Sequence, residues 1–376
     1  MAETSTISIN MSPNQYYSCT ACGKCCETPW KVEVSPEELE RIEKTAIFQR
    51  IKQKGYVPIE LADENYKVGR RDDDSCHFLG DKGCGIHNEE GFAAKPSVCK
   101  TYPFGLINTP DGYFVSLAFS CPAVLAGTGE PVSKQVDDLK MIVETTPYYG
   151  KEKLDSSTLV TVAENQKLSW SSYLQVEDIL LKDVGKDDPI GDLLSLATSL
   201  ALHMNSSSED PWVYDSSIYD NPLIEEVTSL LPMFAANTIA VMELDENPEG
   251  REEFTEEIQQ SAGVQSSLLG KPLPQFYSRK PDNMIVKNVL LRFVRNAIWG
   301  KKLISGPTVV TRLLMLAASV SVVLYYLEAR GQGNKRHHFD FEHLEWAFDL
   351  VESAIFTHAD DLKPMFLEYE LSLIHI

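Results

Sequence analysis

No cysteine occurs in the last 255 residues of this 376-residue chain, although eight fall within the first 121. A random scatter would not leave two thirds of a sequence empty, so sulfur chemistry belongs to the N-terminal part. No apolar segment of signal-peptide type precedes the first cysteine. The chain opens Met-Ala-Glu-Thr-Ser-Thr, which predicts an unexported protein in a reducing, cytoplasmic compartment. Positive charge is scarce: 34 Lys and Arg stand against 55 Asp and Glu, a net charge of −21. Up to residue 130 the split is 13 basic against 18 acidic, which leaves 21 against 37 for the rest. Nucleic acid needs a basic footprint, so it is excluded as a partner. The longest uncharged apolar run, Leu313 to Leu327, falls short of the roughly 20 residues a bilayer requires and follows Arg312, so no membrane span is expected. Gly-x-Ser-x-Gly, Walker A and His-Glu-x-x-His are absent, and Gly127-Thr128-Gly129 is too short for a nucleotide loop.

What is present is a thiol-dense stretch, Cys19-Thr20-Ala21-Cys22-Gly23-Lys24-Cys25-Cys26, followed by Cys76, Cys84, Cys99 and Cys121. Disulfide frameworks belong to short secreted chains, whereas thiols in a reducing compartment stay free or bind metal. The vicinal Cys25 and Cys26 could meet disulfide geometry only with strain. Metal is the better reading, and all eight cysteines are candidate ligands. Cys-x2-Cys lets two thiolates reach one ion, and Gly23 lets that loop turn. A third cysteine after another two-residue gap is typical of the ferredoxin loop Cys-x2-Cys-x2-Cys-x3-Cys-Pro. Pro29 stands where the local fourth cysteine would be, and Cys121-Pro122 reproduces the Cys-Pro pair from a distance. This spacing leans towards a 4Fe-4S iron–sulfur cluster and leaves zinc open. It also leaves open one site with spare thiols or two sites sharing the double cysteine.

Other candidates are weaker. His77 and His87 lie beside or near Cys76 and Cys84, where a histidine is often only a hydrogen-bond donor to the ligand. Asp340 and His343 have metal spacing on a helix but no second such pair, so they read as a surface pair. His337-His338 reads as an exposed loop. Cys26 would be the nucleophile if the first three cysteines fill one metal, yet a further ligand is the stronger reading.

The pattern Cys19-x2-Cys22-x2-Cys25-Cys26, then Cys76-His-Phe-Leu, Cys84-Gly-Ile and Lys95-Pro-Ser-Val-Cys99-Lys-Thr-Tyr-Pro-Phe, resembles the cysteine-cluster family of zinc- or iron-chelating domains. That family includes the flagellin lysine N-methylases. Its usual Arg-Pro-x-x-Cys-Arg is here Lys95-Pro96 and Cys99-Lys100, and His87 stands where an aromatic is common. The second departure argues against His87 as a required ligand. The resemblance implies an iron–sulfur or zinc site and, for the methylase branch, methyl transfer to protein lysine. S-adenosylmethionine would be the cofactor only in that branch, and no motif for it is recognisable. A basic or lysine-bearing protein segment would be the matching partner, although an acidic surface is most simply a solvated one.

Along the chain, residues 1–15 are polar and expected to be mobile. Lys31–Val34 alternates like a short strand. Ser35-Pro36-Glu37-Glu38 predicts a capped helix carrying Leu39, Ile42, Ala46 and Ile47 and ending near Gly55. Residues 56–75 read as irregular, with Arg70-Arg71 in a surface loop, and Gly80-Asp81-Lys82-Gly83 as a turn. Thr109-Pro110-Asp111-Gly112 predicts a hairpin that would bring Cys99 near Cys121. Beyond residue 130, helical periodicity marks 132–144, 169–182, 190–204, 222–244, 283–302, 308–328 and 340–356. Residues 157–163 read as an isolated strand, and 205–221 and 245–282 as loops with some helix near 251–260. The expected fold is mainly α: a small irregular α+β cysteine-rich module over 16–130 and a helical domain over 131–376.

Overall fold

Ile9–Asn10 (β1) lies within the polar leader, yet it pairs in parallel with Tyr113 and Phe114. A hydrogen bond from the Tyr113 amide to the Ser8 carbonyl at 2.9 Å extends this pairing. In the computed structural model the chain divides into two units, residues 1–153 and 154–376. Described are residues 7–146, 154–222, 278–331 and 341–352, apart from 29, 63–64, 156, 186 and 207–209, together with parts of 223–272.

In the first unit, α1 (Lys24–Glu27) carries the vicinal cysteines and β2 (Glu33–Val34) leads to Ser35. Ser35 caps α2 (Pro36–Glu43): its Oγ accepts from the Glu38 amide, and the Glu38 carboxylate accepts from the Ser35 amide. The single helix expected here is two. Thr45 donates its hydroxyl to the Ile42 carbonyl and accepts from the Phe48 amide, which ends one helix and caps α3 (Ala46–Gln53). Residues 56–75 are not irregular throughout: β3 (Ile59–Ala62) and β4 (Asn65–Val68) are antiparallel, and β4 also pairs with β2. Next come β5 (Leu79–Gly80) and β6 (Gly83–Cys84), joined by the expected turn, then α4 (Gly85–Glu90) and α5 (Ser97–Thr101). The predicted hairpin forms from β7 (Phe104–Thr109) and β8 (Gly112–Leu117), with Phe104 opposite Leu117. Gly112 at φ +107° takes the position a side chain would strain, and the Thr109 hydroxyl closes the turn onto the Gly112 carbonyl. After α6 (Pro122–Ala126), a 3₁₀ turn precedes α7 (Val136–Thr145), which packs on α5 and β1. An apolar cluster in this unit joins Val32, Val34, Ile42, Phe48, Val68, Phe78 and Ile86, with Cys76, Cys84 and Cys99 packed against it.

The second unit is helical, as expected. Residues 160–163 are not an isolated strand, because β9 (Val160–Ala163) pairs with β10 (Gln166–Leu168). Ser169 caps α8 (Trp170–Asp183), Asp188 caps α9 (Pro189–Asn205) and Asn283 caps α10 (Met284–Trp299). Helix α11 (Val309–Gly331) packs against α9 and against α12 (Phe341–Val351). By length and composition Val309–Ala329 could cross a membrane, but 94% of its most apolar window is buried in the protein. It is a core helix. Just beyond α10, Lys301 sits fully buried at φ +62° and pairs with buried Glu177, which also accepts from the Tyr173 hydroxyl at 3.0 Å. The Lys301 ammonium stands 5.8 and 5.6 Å from the Trp170 and Trp299 ring centroids. Most of the helix expected over 222–244 and the one near 251–260 lie outside the described residues, as do Asp340, His337 and His338.

Candidate metal centre

Two glycines let the cysteine loop and the β5–β6 turn approach each other. Gly23 turns the chain at φ +87° into α1, and a Cβ there would lie 2.9 Å from the Leu79 side chain. Gly83, at φ +82°, faces the Ala21 carbonyl so closely that a Cβ would lie 2.5 Å from its oxygen. The loop bearing Cys19 to Cys26 is thereby laid against the turn that ends in Cys84. A backbone bond from Cys76 to the Cys26 carbonyl, 2.8 Å, brings in the third segment.

Cys26 is the hub of the thiols so gathered. Hydrogen bonding with Cys25, Cys76 and Cys84, together with burial, pushes its thiol far up. Hydrogen bonding with Cys26 lowers Cys84 to about 6 and Cys25 to about 7 against the opposing effect of burial. It lowers Cys76 as well, helped by the Phe78 amide, which donates to Sγ at 3.4 Å. Cys99 lies against the same group, with Cys76, Cys84 and Cys25 among its electrostatic neighbours, and burial raises it.

The other thiols gather at Tyr17. Cys19 and Cys22 are exposed and Cys121 is buried. Burial pushes Cys121 up to about 11, with Cys22 and Cys19 as its thiol neighbours. Tyr17 is raised by burial first, then by Cys19, Cys121 and Cys25. The β7–β8 hairpin does form; the leading thiol neighbours of Cys99 are Cys76, Cys84 and Cys25, and those of Cys121 are Cys22 and Cys19. The reason is local. Both lie beyond the paired strand ends, Cys99 within α5 and Cys121 at the cap of α6, so the ladder register does not dictate where they point.

Among the described residues, no group of three or more His, Cys, Asp or Glu side chains stands ready to hold a metal ion. The thiols instead hydrogen-bond to one another. That does not weigh against a metal, because a ligand shell of thiols must lose its protons and these mutual bonds before it closes on an ion. The donor set suits soft metals: clustered sulfur selects zinc and iron–sulfur chemistry over hard cations. The two histidines have other partners. The His77 ring lies 5.1 Å from Tyr56 and the His87 ring 6.1 Å from Phe92.

Three participants went unnoticed as such in the sequence. Arg70 is no loose surface residue: it donates to the carbonyls of Cys26 (3.3 Å) and Asp74 (2.8 Å), and to that of Trp30. Trp30 in turn donates to the Cys25 carbonyl at 2.9 Å. Tyr17, two residues ahead of Cys19, gave no signal beyond that closeness.

Residues 18–122 match the CxxCxxCC family, described as "Putative zinc- or iron-chelating domain". A Methanocaldococcus jannaschii protein titled "Uncharacterized protein MJ0939" is 24% identical over 166 residues, 41% of this chain and 54% of its own length. The chain thus spans about half the length of that curated relative. No solved structure matches.

Proposed function

From the premise that residues 18–122 are a zinc- or iron-chelating CxxCxxCC domain, we propose that the chain holds its metal in two adjoining thiolate groups divided at the vicinal pair. One group is Cys26 with Cys76, Cys84 and Cys99; the other is Cys19, Cys22 and Cys121, which Cys25 would complete from between the two, since it neighbours Cys26 and Cys84 as well as Tyr17. The contact of Cys26 with Cys76 and Cys84 carries this reading. It draws ligands 50 residues and more apart in sequence to one sulfur, which a chance excess of cysteine does not do. Within the second group the two-residue gaps and Cys121-Pro122 favour an iron–sulfur cluster, and the mutual thiol contacts of the first suit either metal. A bound metal would supply structural stabilisation or, as a cluster, a one-electron couple. The chain's own residues would supply sulfur, exclude water through the apolar cluster, and compensate charge.

Retention or delivery of metal in a reducing, cytoplasmic setting is the simplest role. Methyl transfer to a lysine-bearing protein segment rests on the family resemblance alone, and chelation does not depend on it. Full-length protein purified without oxygen tests the reading. We expect bound metal: brown protein with iron and sulfide for a cluster, colourless protein with stoichiometric zinc for an ion. Protein that stays metal-free after reconstitution with either would end it.

A further inference from the structure

We propose that Lys95 is the charge partner of the thiolate centre, a positioning residue whose ammonium offsets the negative charge of the loaded sulfurs. This rests on the chelating reading above and adds to it a group that is not a ligand. Lys95 is 8% exposed in a chain of net charge −21, yet among the described residues no carboxylate forms an ion pair with it. Its ammonium stands 5.5 Å from the Phe92 ring centroid, and its electrostatic neighbours include the thiols of Cys25, Cys84 and Cys99.

The backbone around it is clamped. Arg41 donates to the Lys95 carbonyl at 3.2 Å and to that of Ala94 at 3.4 Å. Glu38 accepts from the Ser97 amide at 2.6 Å, so the carboxylate that closes the α2 capping box also fixes the start of α5. Pro96, buried between these anchors, allows little drift. Lys95 and Cys99, four residues apart, are therefore delivered by the same clamped segment.

With most of its surface buried and no carboxylate paired to it, Lys95 departs from the usual pattern, in which buried cations are paired. Apart from Glu38, which is engaged by the Ser35 and Ser97 amides, the groups at hand that can become anionic are the thiols of Cys25, Cys84 and Cys99. Four thiolates on a divalent ion, or on a doubly charged cluster, carry a net charge of about −2. A fixed cation beside them lowers the cost of removing their protons and retains the metal. The bland alternative is that the Lys95 stem merely covers Phe92 and sends its ammonium towards water. That role needs the methylenes and not the charge.

Substitution separates the two. Full-length wild type, K95M and K95R are stripped of metal, then titrated anaerobically with Zn²⁺ against a chromophoric chelator, with thermal unfolding of the stripped proteins as control. K95M keeps the stem and should bind zinc about 10–100-fold more weakly, while K95R restores most of the affinity. Equal affinity of K95M and wild type would overturn the proposal while leaving chelation intact. A wild type that takes up no zinc or iron would instead overturn the chelating reading itself. Should K95M fail to fold, K95Q against K95R carries the same comparison, and equal affinities of those two would be equally fatal.

Discussion

Cys26→Ser is expected to abolish metal retention by its group and to lower the melting temperature of the loaded first unit more than any packing substitution there. Cys26 is the sulfur through which Cys25, Cys76 and Cys84 meet, so its loss takes a shared contact from three segments of chain. Structural zinc contributes about 10–16 kcal/mol in small zinc-finger peptides at neutral pH, and even a fraction of that exceeds an ordinary core change. The deficit should vanish when both proteins are stripped, because serine fills nearly the same space. Cys121→Ser makes the informative companion. Cys121 belongs with Cys19 and Cys22, so its loss should remove the metal of that group and spare that of the other. Metal content and melting of the two variants, loaded and stripped, check this. Loss of all metal from both would show a single centre in place of two.

Lys301→Met should destabilise the second unit by about 3–5 kcal/mol, because removing one partner leaves a buried charge uncompensated. Glu177 is 3% exposed, and burial already raises its pKa against the pull of Lys301 and Tyr173. Without the ammonium it must take a proton or open the packing of α8 against α10. An apolar replacement of the whole pair is often neutral, so the double variant E177L/K301M should recover most of the loss. Denaturant unfolding of wild type, both single variants and the double variant gives the cycle. A cost below about 1 kcal/mol for Lys301→Met would mean that water reaches the pair.

Local signals were legible in the sequence and long-range ones were not. The Ser35 and Glu38 box, the Gly80–Gly83 turn and the hairpin around Gly112 each need only a few adjacent residues, and each stands as read. The break at Thr45 was hidden because threonine fits a helix face until its hydroxyl finds a backbone partner. Strands β3 and β4 escaped because each is four residues long and half polar, and their pairing, not their pattern, defines them. The cysteine set announced sulfur chemistry outright, through its density. Which thiols share a neighbourhood depends on how α5 and α6 leave the hairpin ends, and spacing does not encode that. Lys95 was visible only as a motif letter. Its burial beside three thiols is a property of the packed unit.

X-ray absorption at the metal edge of anaerobically purified full-length protein tests the central claim most directly, since it reports the atoms bonded to the metal. Thiolate ligation predicts a first shell of sulfur alone, with four sulfur neighbours at about 2.3 Å for zinc. A shell of nitrogen and oxygen at about 2.0–2.2 Å would contradict it, and would place the metal on residues other than these eight cysteines.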